Sequence, residues 1–503
     1  MKRSIPVPHR AHPVGEHYRP ASFLLRVGLA TSTPGHPIAL AVFGLLLCVG
    51  AAFSMNAEAN SLLVQILLGA SSSFAIVLFL IARARQSGTV VSVLAYSIFF
   101  LNLFYTMRGA TYLLVGDSDL AVRLGISNVS EQLAVAMTWF NLFLGLFCLG
   151  AFFERRLRIR SPKLPLAVLQ TGVVSIQMGF VVLLVGCVFL GLNLVAIRYI
   201  SVIGYFVIAV PLGFGVCLAG FARWVTPEQK VGVVWRYAIA FAMVLLLTYF
   251  MRGHFTARMY SIGILALFGG FLVAHLRLNL LAMLGLVLVL PVIQSVGETR
   301  YVDVSRVGSA VMSNTQAKIE QGPLMFLAEP YTADSGDFTA LDIFAAALAN
   351  GQFSRPWGMS FLYMFVHWVP RNFWPSKPVE GFLTDEQSFR LAHIEFSGGS
   401  IMIPYDPGIV GTLYLEGAGY FVALGALVLG FVISRWDRRI GETMRHDQSR
   451  IHACAMFSMA IYILFFTARF RPYQIFYLVV SLFVGYYIGL WLVRYLAKRL
   501  GQS

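Results

Sequence analysis

From Pro37 onward the chain alternates between long apolar runs and short polar stretches. Apolar runs start near Pro37, Ser61, Val90, Gln132, Ala167, Tyr199, Val233, Tyr260, Leu278, Gly408, Ile451 and Tyr473. At 1.5 Å per residue, a helix of about 20 such residues crosses about 30 Å of hydrocarbon. The pattern therefore predicts an all-α polytopic membrane protein with about twelve transmembrane helices. Residues 37–296 hold the first nine spans and 407–495 the last three. Residues 1–36 are polar, with Pro, His and Arg, and read as a cytoplasmic tail; 496–503 read as a cytoplasmic C-terminus. Residues 297–406 form the one sizeable interruption, a large loop with short helices of its own. Within it "DFTALDIFAAALANG" (Asp337 to Gly351) predicts a helix, with Asp337 as N-cap and Gly351 as C-cap. "GMSFLYMFVHWVPRNFW" (Gly358 to Trp374) is apolar and aromatic but short, and Pro370 and Pro375 stop it. It reads as an interfacial or re-entrant helix rather than a thirteenth span. "FSGGS" (Phe396 to Ser400) and "PYDPG" (Pro404 to Gly408) are turn chemistry.

Composition strengthens this picture. The 503 residues are 58% hydrophobic and 12% charged, with a mean hydropathy of +0.74. Soluble domains carry about 25% charged residues. The net charge is +15, and only six of the 38 basic residues are lysine. Arginine forks suit phosphate and carboxylate and stay charged in a partly dry site. The basic residues sit in short loops and form no continuous face, which argues against a nucleic-acid partner. Basic clusters at Lys2 to Arg26, Arg83 and Arg85, Arg155 to Lys163, Arg223 to Arg236, Arg277, Arg435 to Arg450 and Arg494 to Arg499 fall on one side of a twelve-span chain. That is about 24 basic residues inside against about seven in the short outer loops, so both termini are expected in the cytoplasm and the large loop in the periplasm. No acidic residue falls in the middle of a span, which argues against an ion-coupled transporter. The five cysteines, Cys48, Cys148, Cys187, Cys217 and Cys454, lie in apolar runs without CxxC spacing and read as small buried hydrophobes. There is no metal-ligand spacing and no phosphate-binding glycine loop, so neither metal nor cofactor is expected.

The candidate chemistry lies where arginine violates the orientation bias. "YFMRGHFTARMYS" (Tyr249 to Ser261) places Arg252, His254 and Arg258 at the outer seam between the seventh and eighth spans. "TARFRPY" puts Arg469 and Arg471 in the outer turn before the last span, and "TMRGA" puts Arg108 at a third outer helix end. A single arginine there snorkels to lipid headgroups. Three arginine-bearing outer ends, if they converge, form a cationic pocket at the depth of a lipid phosphate. His367 precedes Arg371 by four residues, so both share one helix face, and His367 is a candidate general base as well as an aromatic-belt residue. Glu416, in "LYLEGAGY", lies near the outer start of the tenth span, where it is expected to pair with the arginines.

Two stretches carry a family resemblance. "VPRNFWPSKP" (Val369 to Pro378), followed by "GIVGTLYLEGAGYFVALGALVLG" (Gly408 to Gly430), resembles the signature region of bacterial oligosaccharide repeat-unit (O-antigen, Wzy-type) polymerases. "MRGHFTAR" is similar to that family's arginine-bearing outer loop. One departure is that Gly411 is followed by Thr412, where many members have a glycine-glutamate pair; the glutamate here is Glu416. The resemblance implies a metal-independent membrane glycosyltransferase of the GT-C type in the bacterial inner membrane, without cofactor. It would polymerise undecaprenyl-diphosphate-linked repeat units at the periplasmic face, with a chain-length regulator and a flippase as partners. Arg108, Arg252, Arg258, Arg469 and Arg471 would bind the diphosphate, and His367, Arg371 and Glu416 would serve the sugar-transfer step. The alternatives are an O-antigen ligase moving lipid-linked glycan to lipid A–core, and a flippase for lipid-linked oligosaccharide. The flippase needs a polar path, whereas Gln65, Asn102, Asn141, Gln170 and Gln177 are few and scattered along the sequence.

Overall fold

The computed structural model describes residues 35–55, 61–86, 92–116, 128–157, 279–299, 306–332, 340–350, 407–444 and 450–467. It also describes a hairpin at 393–396 and 399–402 and a few single positions, among them 357–358 and 361. Arg252, Arg258, His367, Arg371, Arg469 and Arg471 lie outside the described residues, as do the runs starting near Ala167, Tyr199, Val233, Tyr260 and most of the run from Tyr473.

The apolar runs that are described are helices. They are α1 (Gly35–Met55), α2 (Leu62–Gln86), α3 (Val93–Phe104), α4 (Thr106–Val115), α5 (Val129–Leu157) and α6 (Asn279–Glu298). In the expected loop follow α7 (Val307–Glu320), α8 (Pro323–Ala328) and α9 (Ala340–Asn350). The chain then gives α10 (Gly408–Met444) and α11 (Arg450–Thr467). Among the described residues, five stretches are long and apolar enough to cross a membrane: Ile38–Met55, Leu62–Ala84, Val93–Val115, Val129–Leu157 and Gly408–Met444. Among the described residues the remaining regular structure is an antiparallel pair, β1 (His393–Phe396) and β2 (Gly399–Met402), in register His393 to Met402. Ser397 and Gly398 separate the strands, so the turn chemistry read at "FSGGS" closes a hairpin.

Helices α1, α2, α3, α5, α10 and α11 share one buried cluster, with α5 at its centre. Close approach depends on glycine. A side chain at Gly150 would collide with the Leu427 carbonyl oxygen, and one at Gly430 with the Phe147 carbonyl oxygen. Small residues at such contacts are the usual means by which membrane helices pack backbone to backbone. Across this seam Trp139 meets Gly419, Phe147 meets Gly430, and Arg155 meets Asp437, so α5 and α10 run parallel. In contrast, α1 is antiparallel to α5, with Gly44 against Cys148 and Cys48 against Gly145.

The bundle thus has two ends. The first carries the start of α5, the start of α10 and Arg108. The second carries the end of α5 and the start of α3, and is closed by ion pairs. There Arg155 bonds Asp437 and Ser434, Arg438 reaches Glu154 at 2.7 Å, and Asp437 Oδ1 accepts the Val93 N–H at 2.6 Å. A carboxylate at the first N–H groups of α3 satisfies donors that the helix leaves open.

Two elements differ from the expectation. Helix α9 does not lie on the surface of a loop. Leu341, Ile343, Phe344, Ala345 and Ala347 are all buried, and α9 packs between α5 and α10. An 11-residue helix is about 16 Å long, about half a bilayer's hydrocarbon and too short to cross it. The second is α10, which is broken. Gly417 (φ −165°, ψ 35°) and Ala418 (φ 54°, ψ −148°) interrupt its helical backbone.

Candidate functional site

The polar groups of the first end are assembled by four elements. At the junction of α3 and α4, the Tyr105 ring stacks on Phe140 with centroids 4.8 Å apart. Its hydroxyl donates to the Pro407 carbonyl at 3.4 Å and accepts the Val410 N–H at 3.2 Å. Val410 belongs to the first turn of α10, whose N–H groups have no partner within the helix. Tyr105 therefore fixes where α10 begins, and Gly408, at φ 65°, supplies the left-handed turn into it.

One turn along α4, Arg108 is fully buried. Its Nε and Nη2 meet the two oxygens of Asp342 at 2.7 and 2.9 Å, and its Nη1 donates to the Tyr331 carbonyl at 2.8 Å. Both side chains are sealed from solvent. Burial also pushes the phenol of Tyr331 above its ordinary range, so it remains neutral. Arg108 was expected to offer its charge to an external diphosphate. In the structure that charge is compensated inside the fold by a bidentate pair with Asp342, which ties α9 to α4. Below this pair Phe344 packs edge-on against Tyr414, and Gly411 leaves room for the same Phe344.

Glu416 lies at the break in α10 and is almost fully buried. Its carbonyl accepts the Trp357 N–H at 2.8 Å, and its Oε2 accepts the Gly358 N–H at 3.0 Å. The break leaves the Glu416 carbonyl without its usual helical donor, and Trp357 supplies one. Glycine is required at 417 because a side chain there would collide with Phe421. Glu416 was expected beside the arginines, of which Arg252, Arg258, Arg469 and Arg471 lie outside the described residues; its described contacts join it to the backbone of the segment that leads to His367 and Arg371. The first residues of that segment pack on α10 as well, with Phe361 stacked on Phe421 and Trp357 tilted against it.

The polar side chains inside the helices are less scattered than their sequence positions suggest. Asn141 donates to both the carbonyl and the Oε1 of Gln65, and Thr106 donates to Asn102. Gly69 lies against both Asn141 and Thr106. The Asn141 bonds link α5 to α2, as interhelical glue in an apolar interior, while the Thr106 bond is local, four residues along the α3–α4 run. Among the described residues, no group of three or more His, Cys, Asp and Glu side chains is placed to hold a metal.

Sequence reasoning missed Asp342, Tyr105 and Trp357. Asp342 had a signal: a single carboxylate in an otherwise apolar helix needs a cationic partner. Tyr105 and Trp357 had none, because their roles depend on backbone groups distant in the chain.

No family model, curated protein or solved structure matches this chain. Its class rests on its own architecture, which among the described residues is a largely helical bundle with five helices long and apolar enough to cross a membrane.

Proposed function

We propose that the protein polymerises oligosaccharide units carried on undecaprenyl diphosphate, at the membrane face formed by the Arg108 end. The hydroxyl of the acceptor's terminal sugar attacks the donor's anomeric carbon. The bond from that carbon to the diphosphate oxygen breaks, and undecaprenyl diphosphate leaves with the electron pair. Arg252, Arg258, Arg469 and Arg471 clamp the leaving diphosphate, His367 accepts the hydroxyl proton, and Arg371 supports His367. Glu416 positions the segment that carries His367. Arg108 keeps α9 seated.

The observation that supports this reading best is the junction at Glu416. The two stretches that resemble the polymerase signature are separated by 29 residues. At Glu416 the helix of one holds the backbone that leads into the other. Each charge-assisted bond to a diphosphate contributes about 1.5–3 kcal/mol, so losing one clamp arginine slows transfer at least tenfold.

Alanine at Arg252 or Arg469 is expected to abolish polymer in the native host while single repeat units still appear. Normal chain-length ladders from both variants would reject the clamp. Long polymer accumulating on the lipid carrier would instead indicate the ligase. Purified protein that joins lipid-linked units in detergent excludes a flippase.

A further inference from the structure

Among the described residues, positive φ outside glycine occurs at Trp357 (φ 50°) and Ala418 (φ 54°). The two flank the same residue: Trp357 donates to the Glu416 carbonyl, and Ala418 follows Glu416 by two positions. Left-handed backbone is costly for a residue with a side chain, and it persists only where the surroundings impose it. At Trp357 the surroundings are Glu416, which holds the N–H of Trp357 and that of Gly358 at 2.8 and 3.0 Å.

This clamp does not bury the indole. Trp357 is 61% exposed, although Phe421 meets it at a 69° interplanar angle and Phe361 stacks behind Phe421. An aromatic residue that merely anchors a loop at a membrane interface needs only an apolar body and no fixed orientation. A ring held at a set angle by a strained, doubly hydrogen-bonded backbone, with much of its surface open, is built to receive a flat partner. We propose that Trp357 is a stacking platform for a sugar ring of the lipid-linked glycan, and that Glu416 is the positioning residue that presents it. The apolar C–H face of a pyranose fits the negative face of the indole. This inference rests on the polymerase reading above.

The test uses membranes containing the full-length protein and polyprenyl-diphosphate-linked glycans extracted from the host. Extension rate is measured against glycan concentration for wild type and for Trp357→Ala, Trp357→Leu and Trp357→Phe. Because Trp357 is largely exposed, all three are expected to fold, and each is checked by its elution after solubilisation. The Ala and Leu variants are expected to raise KM about tenfold with kcat little changed, while Phe stays within about threefold of wild type. Glu416→Gln, which keeps the carbonyl but weakens the grip on Gly358, is expected to raise KM in the same direction, and Trp357→Leu combined with it adds little. If Leu restores wild-type KM, the ring is an interface anchor and the platform is overturned. If wild-type membranes extend nothing, the polymerase reading falls and the platform falls with it. If wild type extends normally and the Ala variant matches it, the platform alone is lost.

Discussion

A guanidinium sealed from solvent keeps its charge only where a carboxylate shares the enclosure. Arg108 and Asp342 satisfy this with two short bonds and a third to a carbonyl. Removing one partner strands the other, at a cost of about 3–5 kcal/mol, whereas replacing both with apolar residues costs far less. Arg108→Ala and Asp342→Ala are each expected to lower the melting temperature of the solubilised protein sharply, and Arg108→Met with Asp342→Leu to recover most of the loss. Single variants that melt like wild type would show that the pair is dispensable. Sequence alone could see that Arg108 sits at a helix end. It could not see its partner, because Asp342 lies 234 positions away. The same limit hid the contacts of Glu416: its place near the start of a span was legible, but its hydrogen-bonding partners were backbone groups that no residue type announces.

Helices are legible where length and apolarity decide the matter, and less so where packing does. The starts read near Pro37, Ser61, Val90, Gln132, Leu278, Gly408 and Ile451 all fall within a few residues of observed helices. Helix α9 was read as a loop helix; its burial between α5 and α10 was signalled by a surface that is apolar almost all round, broken by Asp342. Helices α7 and α8 were not anticipated; α7 is polar enough to resemble a loop. The interruption of α10 was foreshadowed by Gly417, Ala418 and Gly419 in succession. Ala418→Gly removes the penalty of a left-handed backbone and is expected to stabilise by about 1 kcal/mol. A lower melting temperature in that variant would show that the strain is not there. The seam between α5 and α10 predicts the opposite response. Gly430→Leu drives a side chain into the Phe147 carbonyl and is expected to cost about 1–3 kcal/mol or more, read as loss of folded protein on solubilisation. Wild-type yield would contradict the contact.

Across the molecule, the two ends differ in the way they treat charge. At one, arginine and carboxylate form paired latches near the end of α5; at the other, Arg108 is enclosed. The distribution of basic residues predicts that the Arg155 end faces the cytoplasm. Alkaline phosphatase fused after Gly116 is then expected to be active and a fusion after Leu157 inactive; the reverse pattern would invert the orientation. The side-by-side, same-direction course of α5 and α10 carries an arithmetical constraint. A polypeptide that leaves α5 on one face of a bilayer and enters α10 on the other must traverse it an odd number of times between them. The five apolar runs read from the sequence near Ala167, Tyr199, Val233, Tyr260 and Leu278 would supply such an odd number. On that expectation, Gly358 to Trp374 as another traverse would make the tally even and turn α10 upside down, which is why that aromatic stretch is expected to stay on the side from which it came.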